Sequence, residues 1–352
     1  MEGSGAVRTI LSCCGKGAAF IGVPRLWMGV PVMEDSGRVV ELFDDRARQR
    51  SDRREFFRVL ASGAAAAGAA GLTATAAVAQ STISEADVLN FALNLEYLEA
   101  QFYYQAAFGQ PLPNSSLTGT GNQGAATGAR QVNFTDSSVA LYAREIANDE
   151  RAHVEFLRTA LGGSAVAQPR IDIGTDPSGA FSTAARAAGL VGNGQSFDPY
   201  ASDEAFLLGA YIFEDVGVTA YKGGASALIN NKVFLEAAAG ILAVEAYHAA
   251  IVRTTLYAKG ISTSPPPTLD LVGATEAIST ARDSLDGADD RDQGVRPIGD
   301  ASNIFPGDSD GLAYTRSPGQ VLNIVYLNRA SVTGGGFFPN GMNGTIRTSA
   351  AS

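Results

Sequence analysis

The most informative stretch of the chain is ILAVEAYHAAIV, residues 241–252, where two ionisable side chains interrupt an apolar run. Glu245 and His248 are three residues apart, so on a helix they share one face, one turn from each other. Glu150 and His153 repeat this spacing earlier in the chain. The chain has two histidines and 36 acidic residues among 352, so this double match is improbable by chance.

A second pattern relates two other apolar runs. Glu96 precedes Tyr103 in NLEYLEAQFY, and Glu214 precedes Tyr221 in FEDVGVTAY, by seven residues in each case. Seven residues are about two helical turns, so each tyrosine lies on the face of its glutamate. An ionised carboxylate buried without a partner costs several kcal/mol. A chain that buries several therefore needs metal ions or basic side chains to compensate them.

The order along the chain is Glu, Glu-x-x-His, Glu, Glu-x-x-His, which is the order of donors in dinuclear carboxylate sites of four-helix bundles. Four carboxylates neutralise two divalent cations, and two imidazoles complete the shell while leaving open positions. Glu99, one turn from Glu96, is a rival for the first position. The metal-free alternative is compensation by arginines on the same helices, namely Arg144, Arg151, Arg158 and Arg253.

Helical spacing of apolar residues predicts four long helices. They are expected over Ser84–Gly109, from Ser137 or Ser138 to Gly162, over Ser202–Tyr221 and over Lys232–Lys259. About forty residues separate the second and third helices, and a loop of that length is typical of a crossover in a bundle. The fold prediction is all-α: a four-helix bundle with one long crossover between its second and third helices.

The predicted bundle occupies residues 80–261, and the residues on either side of it differ in composition. Residues 262–352 are rich in Pro, Gly and Asp. We expect them to form a loop-rich C-terminal extension that packs on the bundle, with short helices near Thr275–Leu285 and Pro318–Leu327.

The first 79 residues resemble a twin-arginine signal peptide with an N-terminal extension. Arg53 and Arg54 precede an uncharged Ala- and Gly-rich stretch that ends in Ala77-Val78-Ala79, a small-x-small cleavage pattern. We expect cleavage after Ala79, transport by the twin-arginine (Tat) export machinery, and a periplasmic or extracellular location. A disordered tail and a retained membrane anchor are the alternatives, and Met33 could be the start in place of Met1.

Composition excludes several classes of function. The net charge is −10, which argues against nucleic-acid binding because that requires a basic face. Both cysteines, Cys13 and Cys14, lie in the expected leader. The mature chain would therefore have no thiolate catalysis, no disulfide and no rubredoxin-like electron donor.

The chain resembles the ferritin-like superfamily, and more closely the exported ferritin-like proteins related to desiccation-associated proteins. The resemblance rests on LNFALNLEYLEAQFY at 89–103, SPGQVLNIVYL at 317–327 and GGFFPNG at 335–341. It implies two bound metal ions, with iron favoured and manganese the alternative. The implied ligands are Glu96, Glu150, His153, Glu214, Glu245 and His248, of which Glu150 and Glu245 would bridge.

The resemblance also implies redox activity towards a small oxidant, O2 or H2O2. The alternative is a non-enzymatic desiccation or stress protein whose metal is structural or absent. Tyr103 and Tyr221 are the candidate catalytic tyrosines, expected to donate hydrogen bonds to ligating carboxylates, and plain core packing is their alternative.

Three further acidic residues lie near the proposed ligands in the sequence. Glu145 and Asp149 are expected on a solvated helix face, and Asp215 either supports a ligand or lies at the surface. The chain could also form a homodimer. A substrate pocket would be lined by apolar residues, namely Phe91, Leu95, Phe102, Phe206, Phe213 and Ile241.

Overall fold

The structure is a computed structural model that describes residues 83–264 and 269–352. The expected leader, residues 1–79, lies outside the described residues, together with Arg53, Arg54 and the cleavage site at Ala79. Export and the resulting location therefore stay predictions.

The described residues are mainly helical, and the all-α prediction is confirmed. In chain order the helices are α1 (Glu85–Phe108), α2 (Ser137–Leu161), α3 (Ala180–Ala187), α4 (Asp203–Ala225), α5 (Lys232–Gly260), α6 (Leu271–Asp286) and α7 (Pro318–Val325). The bundle consists of α1, α2, α4 and α5, with α1 packed along α2 and α4 packed along α5. Helix α4 continues one turn beyond the predicted end at Tyr221.

The helix starts follow from the side chains that precede them. The Ser84 side chain accepts a hydrogen bond from the backbone of Asp87, and the Asp87 carboxylate accepts one from the backbone of Ser84. This capping box satisfies two backbone donors at the start of α1. Ser202 caps α4 and Asn231 caps α5, and each does so with one side-chain oxygen that accepts a hydrogen bond from a backbone N–H of the first turn.

The crossover between α2 and α4 contains elements that the sequence analysis missed. Helix α3 spans eight residues, which is too short for a clear apolar period. Strand β2 (Ile171–Asp172) pairs in parallel with β1 (Ala126–Thr127) from the loop between α1 and α2. This pairing fastens the crossover to the loop that precedes α2.

An aromatic cluster joins the bundle, the crossover and the C-terminal extension. Phe102 of α1 stacks on Phe206 of α4, with ring centroids 5.5 Å apart. Phe337 of the extension meets Phe181 of α3 at 5.1 Å and Phe213 of α4 at 4.9 Å. Such aromatic contacts add about 0.5–1.5 kcal/mol each beyond the burial of their area.

A buried ion cluster fixes the extension to the bundle. Its members alternate in charge and are at most 5% exposed: Asp215, Arg253, Arg282, Asp286, Asp292 and Arg316. Asp215 accepts from Arg253 at 2.8 Å and from Arg282 at 3.0 Å. Asp215 is therefore buried and not at the surface, and its carboxylate pairs with two arginines of the cluster.

Helix α5 is long and apolar enough to cross a membrane by composition alone, with a mean hydropathy of 1.4 in its most apolar window. However, Glu245, His248 and Arg253 are buried where α5 meets other parts of the protein. These ionisable side chains have their partners inside the protein, so α5 packs as a core helix of this bundle.

Candidate metal centre

Helices α1 and α4 hold each other's glutamates through a reciprocal pair of hydrogen bonds. The Tyr103 hydroxyl of α1 donates to Glu214 Oε1 of α4, and the Tyr221 hydroxyl of α4 donates to Glu96 Oε1 of α1. The later residue of α1, Tyr103, thus meets the earlier residue of α4, Glu214, and the reverse holds for Glu96 and Tyr221, so the two helices run antiparallel. The spacing predicted that each tyrosine shares a helix face with the glutamate seven residues before it. The structure shows that its hydroxyl group bonds to the glutamate of the other helix.

Helices α2 and α5 bring their glutamates and histidines together in the same antiparallel manner. His248 Nδ1 lies 2.9 Å from Glu150 Oε1 and 3.8 Å from Glu214 Oε2. His153 Nδ1 lies 3.2 Å from Glu96 Oε2, 3.8 Å from Glu150 Oε2 and 3.9 Å from Glu245 Oε1. The six side chains named from the sequence therefore converge on one buried centre.

Asp149 has a role that sequence reasoning missed. Its carboxylate lies 3.2 Å from His248 Nε2. An ionised carboxylate can only accept a hydrogen bond, so Nε2 carries a proton, and loss of the second ring proton leaves the lone pair on Nδ1, the atom that faces Glu150. This carboxylate–histidine arrangement is common at metal sites, where it orients the ring. The Asp149 side chain is 44% exposed and Glu145 is exposed, so both lie on the solvated face that the sequence predicted, and Asp149 contacts His248 in addition.

Six of the atoms that could bind a metal are buried without a hydrogen bond, although His248 Nδ1 and Glu150 Oε1 make an ion-pair contact of 2.9 Å. Both carboxylate oxygens of Glu150 and Glu245, Oε2 of Glu214 and Nδ1 of His248 are buried without a hydrogen bond. Buried polar atoms are almost always satisfied. One atom each from Glu96, Glu150, His153 and Glu245 lie within 4.8 Å of one another. Hard oxygen donors and imidazole nitrogens at this separation fit a divalent metal ion of the first transition row.

The protonation of the metal-free centre follows from crowding of like charges. Burial raises the pKa of Glu96 to about 7 and that of Glu214 to about 8, against the opposing effect of the histidines. Burial alone would lower the histidine pKa values, but adjacent carboxylates raise that of His153 to about 11 and that of His248 to about 10. Burial would raise the pKa of Glu150, yet the two histidines hold it well below its usual range.

The four arginines proposed as alternative partners do not contact the six residues. Arg151 pairs with Glu155 at 2.9 Å, Arg158 donates to Tyr97, and Arg253 pairs with Asp215. Arg144 is exposed. The described residues thus offer no guanidinium to this centre, and the two histidines are its basic groups.

Glu96 and not Glu99 is the α1 residue that contacts a histidine of the centre. Glu99 is also buried, at 5% exposure. It faces α4, because its Oε1 lies 3.4 Å from the point where a Cβ of Gly217 would stand.

The apolar residues expected to line one pocket separate into two groups. Phe91 and Leu95 line an apolar cavity of about 230 Å³ whose wall includes Tyr221. Phe102 and Phe206 belong instead to the aromatic cluster. Phe213 belongs to that cluster too, but with Leu95 it also lines a second cavity of about 20 Å³. Spacing along a helix predicted which residues are buried, but it did not show what each one faces.

Comparison with known proteins agrees with this geometry. The family model of the ferritin-like domain matches residues 84–258, which contain all six residues of the centre. The chain belongs to the ferritin-like family. It is 28% identical to the ferritin-like catalase Nec2 of Nesocodon mauritianus over 274 residues, covering 75% of this chain and 85% of that protein.

A second relative is the desiccation-related protein PCC13-62 of Craterostigma plantagineum. The identity is 30% over 251 residues, which cover 68% of this chain and 76% of that protein. No solved structure gives a significant match. The resemblance to ferritin-like proteins related to desiccation-associated proteins is therefore confirmed.

Proposed function

We propose that this ferritin-like protein binds two iron or manganese ions and disproportionates hydrogen peroxide. The observation that carries the proposal is the set of buried atoms without a hydrogen bond on Glu150, Glu214, Glu245 and His248. Several buried carboxylates that lack basic partners other than two histidines require a compensating charge. Two divalent cations supply four positive charges, which balance the four glutamates of the sequence pattern.

The donors divide into two overlapping groups. Glu96, Glu150, His153 and Glu245 would hold one ion, and Glu214 and His248 would hold the second together with the remaining oxygens of Glu150 and Glu245. Both histidines turn Nδ1 towards the carboxylates. Tyr103, Tyr221 and Asp149 would then fix the orientation of donors that belong to both groups.

Disproportionation suits this centre because it needs no second reductant. One peroxide molecule is reduced to two water molecules and the other is oxidised to O2, so that two H2O2 give two H2O and one O2. A pair of redox-active ions held by these residues would supply the two-electron chemistry that this reaction needs. The name of the relative Nec2 supports peroxide over O2 as the substrate, and the sequence contains no cysteine cluster to supply electrons.

The test is to remove metal from the purified protein, load it with Mn(II) or Fe(II) in separate samples, and follow O2 release from H2O2 with an oxygen electrode. We expect two ions per chain and one O2 for every two peroxide molecules consumed. Each loaded sample is washed free of unbound metal before the assay. The Glu245→Ala variant, treated in the same way, should bind little metal and release no O2.

A folded, fully loaded protein without O2 release would contradict the peroxide proposal. That result would favour the second candidate, a desiccation-related protein with a structural metal, for which the similarity to PCC13-62 is the specific support. Export and homodimer formation are separate proposals that this test does not address.

A further inference from the structure

The two halves of the centre are related by an approximate twofold repeat. Glu96 and Tyr103 on α1 correspond to Glu214 and Tyr221 on α4, with equal spacing and reciprocal hydrogen bonds. The Glu-x-x-His patterns of α2 and α5 correspond in the same way. Equivalent positions in the two halves are therefore expected to carry similar residues, and a difference between them needs a physical explanation.

The repeat breaks at Glu99. The equivalent position on α4, three residues after Glu214, is Gly217. A Cβ at Gly217 would stand 2.2 Å from Glu245 Oε2 and 3.4 Å from Glu99 Oε1. Two carboxylates thus converge on the space that a side chain at 217 would fill, and the glycine is what allows both to be there.

The surroundings of Glu99 offer nothing else to compensate its charge. It borders a small cavity of about 20 Å³ whose other lining residues are apolar or glycine, among them Leu98, Phe213 and Val216. The charged groups that act on it are the glutamates Glu96, Glu150 and Glu214 and the imidazole of His153. Burial and the charges of neighbouring glutamates raise the pKa of Glu99, which His153 opposes only in part.

We propose that Glu99 is a fifth carboxylate ligand of the metal centre, placed where the two halves meet and admitted by Gly217. This inference rests on the proposed dinuclear centre. Five carboxylates carry a charge between the four positive charges of two divalent ions and the six of two trivalent ions. The fifth carboxylate would therefore stabilise the higher oxidation state, as a centre that alternates between two states requires.

The test measures metal binding and not turnover. Metal-free wild type, Glu99→Gln, Glu99→Asp and the surface control Glu145→Gln are titrated with Mn(II) by calorimetry, and circular dichroism checks that each is folded. We expect Glu145→Gln to bind two ions, as the wild type does, and with the same affinities as the wild type. Glu99→Gln removes the charge, whereas Glu99→Asp keeps the charge but shortens the reach. As changes to a ligand, both should weaken binding by more than the roughly 10–100-fold that loss of a group orienting a ligand costs.

Two results would overturn the assignment of Glu99. One is unchanged affinity in Glu99→Gln. The other is wild-type affinity in Glu99→Asp with weakened binding in Glu99→Gln, since Glu99 would then act through its charge alone. Wild type that binds no Mn(II) and no Fe(II) would instead refute the proposed function, and this inference with it.

A second pair of variants tests the role of Gly217. Gly217→Ala places a methyl group against Glu245 and should weaken Mn(II) binding while the helix persists. Gly240→Ala on α5 is the matched control, because a Cβ there meets no atom within 4 Å. Equal Mn(II) affinity in Gly217→Ala and Gly240→Ala would contradict the claim that Glu245 and Glu99 need the space that Gly217 leaves free.

Discussion

Glu150 is the residue that both histidines reach. His248 Nδ1 lies 2.9 Å from one of its oxygens and His153 Nδ1 lies 3.8 Å from the other. Spacing in the sequence identified this residue, because Glu150 and His153 are one helical turn apart. Its contact with His248 depends on how α2 and α5 pack, and this was available only from the structure.

The reciprocal tyrosine bonds predict matched effects in the two halves. Tyr221→Phe leaves Glu96 Oε1 without its donor, and Tyr103→Phe does the same to Glu214. Loss of a group that orients a ligand weakens metal affinity by about 10–100-fold. We expect a similar weakening in both variants, with two ions still bound at saturating Mn(II), as measured by calorimetry. Unchanged affinity in both would mean that the tyrosines serve core packing alone.

The crowded carboxylates predict how the stability of the metal-free protein depends on pH. The pKa of Glu96 rises from 4.5 to about 7 and that of Glu214 from 4.5 to about 8. The folded state therefore holds more protons than the unfolded state above pH 4.5, and stability falls as the pH rises to about 8. Raised pKa values of His153 and His248 extend this loss from pH 6.5 to about 10 or 11.

The lowered pKa of Glu150 has the opposite sign, because its contribution is present above pH 4.5 and is lost in acid. Thermal melts of the protein in a chelator should give a lower midpoint at pH 8 than at pH 5.5. Metal should reverse the trend, because bound ions replace these protons and bind more tightly as the pH rises. A metal-free midpoint that rises from pH 5.5 to 8 would contradict the described charge distribution.

At the scale of the elements, the four long helices were predictable because each combines an apolar period with a start signal. Ser84 with Asp87, and Ser202 before α4, gave those starts directly. Helix α3 and the two-residue strands were not predictable, because their few residues show no period and tertiary contacts hold them in place. The same limit applies to Asp149, whose neighbours in the sequence give no sign of His248.

Two glycines predict opposite effects of the same substitution. A Cβ at Gly223 of α4 would stand 1.9 Å from the carbonyl oxygen of Arg316, where the extension crosses the helix. Gly223→Ala should destabilise the protein by about 1–3 kcal/mol through overpacking. Gly240→Ala, in open space on α5, should stabilise it by about 0.5–1 kcal/mol through the better helix propensity of alanine.

Denaturant unfolding of both glycine variants at one pH, in metal-free buffer, measures these changes. A neutral effect of Gly223→Ala would mean that the extension does not press on α4 in solution.

At the scale of the whole molecule, the buried ion cluster couples the extension to the bundle. Arg282 of α6 donates to Asp215 of α4 at 3.0 Å and to Asp292 of the extension at 2.5 Å. The sequence indicated an acidic, loop-rich tail, but it gave no pairing for its charges. Contacts across such long separations depend on the assembled fold.

This cluster predicts one cooperative unfolding transition for residues of both parts. Arg282→Met leaves Asp215 and Asp292 short of a partner, and removal of one member of a buried pair costs about 3–5 kcal/mol. Arg151→Met breaks an exposed pair with Glu155 and should cost at most about 1 kcal/mol. Calorimetry should show a single transition that Arg282→Met shifts to lower temperature, whereas two separate transitions in the wild type would refute the coupling.

The central claim is that the six residues Glu96, Glu150, His153, Glu214, Glu245 and His248 enclose two metal ions. Anomalous diffraction from crystals of the protein soaked in Mn(II), recorded at the manganese edge, tests it most directly. We expect two peaks inside the bundle, one beside His153 and one beside His248. Crystals of the folded bundle with no peak between these histidines would contradict it.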